Sequence, residues 1–212
     1  MNLIKIDCKD KLKKIINIMK RGDGDFEFIL ASELIKRKHL PKKASVTLGK
    51  FLIPPINIIN NYLATGKEGK YEREYMSHLS RPEILFIINN SLKRCIENGN
   101  DLCIVCAEDE LEYKYLDILA EFIEMNWGIK AISLKKFEAG KKSSSKLGNH
   151  KLMDVLETRQ NKLIHKLEDI GVNALELLYC SMDKKDIKKL DPSVRKKAEE
   201  FFSGYYDEEE DY

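Results

Sequence analysis

Five consecutive apolar residues, Leu102–Cys106 in "DLCIVCAED", lie between two stretches of helical periodicity and admit few folds. A strand that is apolar on both faces has to be covered on both, which is the situation of an inner strand in a parallel sheet flanked by helices. Upstream, Ile84, Ile87, Ile88, Leu92, Cys95 and Ile96 recur at helical spacing until Asn98-Gly99 ends the run. Downstream, Leu111, Tyr115, Ile118, Leu119, Phe122 and Ile123 repeat the pattern as far as Asn126-Trp127-Gly128, with Asp109 placed to cap it. Ile129–Leu134 then reads as another strand. Strand, helix and strand with short connections make a right-handed βαβ unit. The expected class is α/β: a compact parallel-type sheet with flanking helices, followed by a helical C-terminal region and an acidic tail.

The remaining elements follow from the same reasoning. Met1–Ile6 alternates as a first strand. Lys9–Arg21 is a helix with Leu12, Ile15, Ile16 and Met19 on one face and Gly22 just beyond its end. Phe26–Ala31 and Ala44–Leu48 are strand-like. Pro54-Pro55 opens a helix whose expected buried stripe is Ile56, Ile59, Tyr62 and Leu63, with Gly66 as its stop. Ser80 and Glu83, three apart around Pro82, have the capping-box spacing. The chain divides into an α/β domain (1–134), a polar basic linker or surface loop (135–150), a helical region (151–203) and an acidic aromatic tail (204–212).

A hydrophobic fraction of 43% suffices for a packed core, and 212 residues make one good-sized domain or a domain with an appendage. The near-balance of 37 Lys and Arg against 35 Asp and Glu conceals segregation. Lys135–Ser203 holds sixteen basic and eleven acidic residues, whereas Gly204–Tyr212 holds five acids and no base. The N-terminus has no leader-like apolar run, and no stretch approaches 18 consecutive apolar residues. Secretion and membrane spanning are therefore not expected. Five cysteines, odd in number and mostly within apolar patterns, read as reduced thiols of a cytoplasmic protein.

Four features are candidates for chemistry or binding. The strand-to-helix joint Cys106–Asp109 lies where parallel sheets bind ligands, so Cys106 as nucleophile and Glu108 as acid or base form a weak catalytic pair. Against it, no histidine follows in the next helix, two acids repel an anion, and a buried cysteine beside a capping Asp explains the same residues. Cys103 and Cys106 match C-x-x-C, but residues three apart on a strand point to opposite faces and cannot share a metal, so no metal or cofactor is expected. Tyr71 and Tyr75 share a helical face, either covering a core edge or stacking a ligand. Lys36–Lys43 and Gly140–Lys146 are basic stretches able to meet a nucleic-acid backbone, or simply solvated loops. Finally, "EEFFSGYYDEEEDY" combines Phe201, Phe202, Tyr205, Tyr206 and Tyr212 with acids, a composition suited to docking in a protein partner's apolar pocket with a basic rim.

Tyr71–Leu134, with Cys106-Ala107-Glu108 at its centre and the Tyr71/Tyr75 helix before it, resembles the second half of the bacterial and phage family called domain of unknown function 488. The resemblance implies a compact α/β fold with the joint facing a cleft, in the cytoplasm of a bacterial or phage-infected cell. It supplies no reaction. The family's Cys-His-Arg triplet falls on Lys114-Tyr115-Leu116, so it is absent here, and Lys114 is the residue placed to take over a ligand-binding role. Together these readings lead to the expectation of a non-enzymatic intracellular binding or regulatory protein, attached to a protein or nucleic-acid assembly. The alternative is a small enzyme acting on a nucleotide or phosphorylated ligand at the joint.

Overall fold

The computed structural model describes residues 1–32, 34–42, 44–107, 114–142 and 148–181. Five strands, β1 (Leu3–Ile6), β2 (Phe26–Leu30), β3 (Ser45–Leu48), β4 (Asp101–Val105) and β5 (Ile132–Ser133), form one sheet in the order β3-β2-β4-β1-β5. Every pairing is parallel. The apolar run beginning at Leu102 forms the central strand, β4. Leu102, Ile104 and Cys106 enter one apolar cluster, while Cys103, Val105 and Ala107 enter the other. Burying Leu102, Ile104 and Val105 contributes about 1.5–3 kcal/mol each, and the smaller side chains less.

The helices are α1 (Lys9–Arg21), α2 (Ile56–Thr65), α3 (Glu68–Leu79), α4 (Pro82–Glu97), α5 (Tyr115–Trp127), α6 (Leu134–Glu138), α7 (Asn149–Asp169) and α8 (Ala174–Ser181). α1 lies on one face of the sheet with the β2–β3 connection and α6, through Leu12, Ile15, Met19, Ile35, Leu40 and Leu134. The other face carries α3, α4, α5 and α7, through Tyr75, Ile88, Leu119 and Leu156. The division obeys the right-handed crossover rule. Connections leaving β1 and β2 run toward the β3 edge on one face, and those leaving β3 and β4 run toward the β5 edge on the other. β2 and β4 are neighbours whose chains diverge, one toward the β3 edge and the other toward the β5 edge, so the topological switch point lies between their carboxyl ends.

α7 is tied to the α/β core by one buried amide. Asn89 of α4 donates to the Leu156 carbonyl (2.9 Å) and to Gln160 Oε1 (2.7 Å), and accepts from Trp127 Nε1 (3.0 Å). The Arg159 guanidinium lies 5.0 Å from the Trp127 ring centre and donates to the Asn126 carbonyl. Further along, Leu163 and Leu167 pack on Phe86. A second buried network fixes α4 to the sheet: Glu27, on β2 and 1% exposed, pairs with Arg94 at 3.0 Å and accepts from Asn98. Arg94 also donates to Thr47 on β3.

Several sequence expectations need correction. Ser80 does not cap α4; its hydroxyl donates back to the Met76 carbonyl, while Glu83 pairs with Arg81, the actual N-cap. Ser80 is instead the C-cap of α3 and lies one residue too early to cap α4. In α2 the buried residue is Ile58, and Ile56 and Leu63 are exposed, because the helix meets its neighbours along α3 rather than lying flat on the sheet. α5 begins at Tyr115 with Lys114 as N-cap, and the expected cap Asp109 lies outside the described residues. The stretch read as a linker opens with α6, since Leu134 is buried and Phe137 packs edge-on against Phe26 at 6.0 Å.

Candidate functional site

The carboxyl ends of the strands are where this topology would place a ligand, and two tyrosines close them on the α3/α5 side. Tyr115, the first residue of α5, donates its hydroxyl to the Ala31 carbonyl just after β2 (2.6 Å). Tyr75 of α3 donates to the Leu52 carbonyl, which follows β3. Their rings meet edge-on at 6.3 Å. Burial first, then Tyr71 and Cys106 nearby, pushes the Tyr75 hydroxyl far above its ordinary value, so it stays a neutral donor. Cys106 extends the β4 ladder by donating its backbone N–H to the Ile6 carbonyl, and its side chain is wholly buried in the same cluster as the two tyrosines. The expected cleft in front of Cys106 is thus replaced, on this side, by packed rings. Cys103 faces the opposite cluster, so the C-x-x-C pair is split by the sheet as its spacing requires.

A cleft of about 180 Å³ opens just outside this plug, between α2, α3 and the start of α5. Tyr62 and Tyr71 form its wall, ring centres 4.9 Å apart. Lys114, with φ at 46°, sits in the left-handed region where α5 begins, and its ammonium donates to Glu68 at 2.8 Å. The hydrogen bond and charge of Lys114 hold the Glu68 carboxyl below its usual range, and those of Glu68 hold the Lys114 amine above its own. Both groups are moved away from neutrality, the reverse of what an acid–base catalyst needs. Glu72, Asp117 and Glu121 complete the rim, making an aromatic wall surrounded by carboxylates, of which Glu68 is paired with Lys114 and Asp117 with Lys5. Such a site suits a cationic group and repels phosphate.

The sequence candidates therefore part company. Tyr71 and Lys114 share the cleft; Tyr75 and Cys106 belong to the core behind it. Tyr115 and Leu116, where the Cys-His-Arg triplet would fall, are buried core residues. Glu108 and Asp109 lie outside the described residues, as do Phe201, Phe202, Tyr205, Tyr206 and Tyr212. Sequence reasoning missed Glu68, whose partner is 46 positions away, and placed Tyr62 in a core stripe. Only its neighbourhood to Tyr71 in an aromatic pair would have singled it out.

What fold and site define together is an all-parallel α/β protein whose switch point is plugged on one side by tyrosines. No family model, curated protein or solved structure matches the chain. Among the described residues no helix is long and apolar enough to cross a membrane.

Proposed function

We propose that the chain is a non-catalytic binding or regulatory protein of an intracellular assembly, and that it docks on a protein partner through the acidic aromatic segment Phe201–Tyr212. The burial of Cys106 beneath Tyr75 and Tyr115 is the observation that carries the non-catalytic half. A nucleophile must reach its substrate, and this thiol sits in an apolar cluster. The docking half rests on composition: rings that bury in a pocket, and carboxylates that meet a basic rim. Pull-downs with the full-length chain and with a chain ending at Glu200 test it. A set of partners lost on deletion, and competed away by a peptide of Phe201–Tyr212, is the expected result; an unchanged set counts against it.

The enzyme reading retains one supporting observation, the Tyr62/Tyr71 cleft beside the joint. There Cys106 would be the nucleophile and Glu108 the acid or base, on a nucleotide or phosphorylated ligand. The carboxylate rim opposes that ligand. Iodoacetamide decides between the two readings: rapid alkylation of Cys106 in the folded protein below neutral pH favours the enzyme, and labelling only on unfolding favours the binding protein. The relation of Tyr71–Leu134 to the domain of unknown function 488 family stays part of this proposal, and it lends the binding reading a relative without a reaction.

A further inference from the structure

The described parts of the two basic stretches, Lys36–Lys42 and Gly140–Lys142, lie on the same face of the sheet as α1, which carries a third group of cations. α1 turns Lys13, Lys14, Lys20 and Arg21 to solvent. The β2–β3 connection, packed on the same face through Ile35 and Leu40, exposes Lys36, Lys38 and Lys42. α6 and the turn after it, held there by Leu134 and Phe137, expose Lys135, Lys136, Lys141 and Lys142. Among the described residues of these elements and their turns, these eleven exposed cations stand against four exposed carboxylates, Asp10, Asp23, Asp25 and Glu138. One of the four, Asp10, is already paired with Lys13. Arg37 is not part of the display, because its guanidinium donates to the Pro41, Lys42 and Ala44 carbonyls and shapes the connection.

We infer that this face, α1 flanked by the β2–β3 connection and α6, binds the phosphate backbone of duplex nucleic acid without reading its sequence. Its aromatic rings favour a duplex over a single strand. Phe26 and Phe28 are buried, and Phe137 is occupied against Phe26, which leaves no Phe, Tyr or Trp ring for stacking bases among the described residues of these elements; the one exposed ring there is the His39 imidazole, bonded to the Lys36 N–H. A membrane surface is disfavoured by the lack of an insertion wedge: Leu34 is the single large apolar side chain that is well exposed on the described part of this face. Size fits as well. A thirteen-residue helix is about 20 Å long, and a duplex presents about one charge per 1.7 Å, so roughly a dozen phosphates lie within reach. The inference deepens the assembly reading above by naming the polymer, yet it stands on a surface separate from the tail.

Fluorescence anisotropy of the full-length protein with a labelled mixed-sequence duplex of about 20 base pairs tests it, at about 50 and about 200 mM salt. With about four phosphates neutralised, affinity is expected to fall on the order of 100-fold across that range. Changing Lys13, Lys14, Lys135 and Lys136 together to Glu is expected to weaken binding at least about tenfold, and the same four changed to Gln by less. Four reversals elsewhere, Lys67→Glu, Lys151→Glu, Lys162→Glu and Lys166→Glu, are expected to leave most of it. Equal losses from the two quartets would mean that net charge, not this face, does the binding, and would overturn the inference. So would absence of duplex binding, tighter binding to a single strand, or binding to phosphatidylserine vesicles in its place. Deleting the tail reports on protein docking and this titration on the basic face, so either idea can fail alone.

Discussion

The two faces of the sheet are covered by different means. Toward α3, α4, α5 and α7 the covering is cross-braced by buried polar groups: Asn89 with Trp127 and α7, Glu27 with Arg94, Tyr75 and Tyr115 with carbonyls beyond β2 and β3. Toward α1 and α6 the contact among the described residues is apolar, while the β2–β3 connection is braced on itself by Arg37 and Ser32, and the cations stay at the surface. A helix held by directed hydrogen bonds has one seating; a helix held by apolar packing alone tolerates change on its outer side. The first face therefore carries the structure's specificity, and the second is left open to evolve a binding surface.

Substitutions on the braced face should break this contrast most strongly. Glu27→Ala strips the partner from the largely buried Arg94 and is expected to cost about 3–5 kcal/mol in urea unfolding. Asn89→Ala orphans the Trp127 indole N–H and removes the bonds to the Leu156 carbonyl and Gln160 that tie α4 to α7, for about 2–3 kcal/mol. Tyr115→Phe, losing one hydrogen bond and leaving the Ala31 carbonyl unmatched, should cost about 1–2 kcal/mol. On the open face, Lys14→Glu should change stability by less than about 0.5 kcal/mol. A larger effect there would erase the distinction.

A pH measurement sharpens the comparison further. His78, half-buried on α3, is held below its ordinary value of 6.5 mainly by desolvation and also by Arg81, against the opposing pull of the Phe51 carbonyl and Glu83. A depressed folded value means the unfolded chain takes up the proton first. Stability is then full above about pH 6.5 and declines as pH falls through the depressed value. His78→Gln should flatten the change in unfolding free energy between about pH 7.5 and about pH 5 relative to the unaltered chain. An identical slope in both proteins would assign the decline to other groups.

Local signals carried most of the elements. α1 runs over the span its periodicity marks, and Gly22 ends it with a φ of 81° that only glycine adopts cheaply. The double-sided apolarity of β4 announced an inner parallel strand. Ser80 misled because a serine at capping spacing works equally well as a donor to the preceding turn. Asn89 and Glu27 were illegible because their partners lie 38 to 71 positions away and nothing local marks a polar residue as buried. At the site, Tyr71 and Lys114 were found from sequence, but their companion Glu68 needs the packing of α3 against α5 to come into view.

Strand order has a kinetic side. β4, made after residue 100, is wedged between β1 and β2, which never touch each other. A nascent chain of the first hundred residues holds β2 and β3 as neighbours but leaves β1 with no strand beside it, both its partners being still unmade. The sheet closes only when the central strand arrives, across a loop of about seventy residues from β2, whose entropic cost falls before any reward. During synthesis, then, β1 has no neighbouring strand to pair with until "DLCIV" has been made.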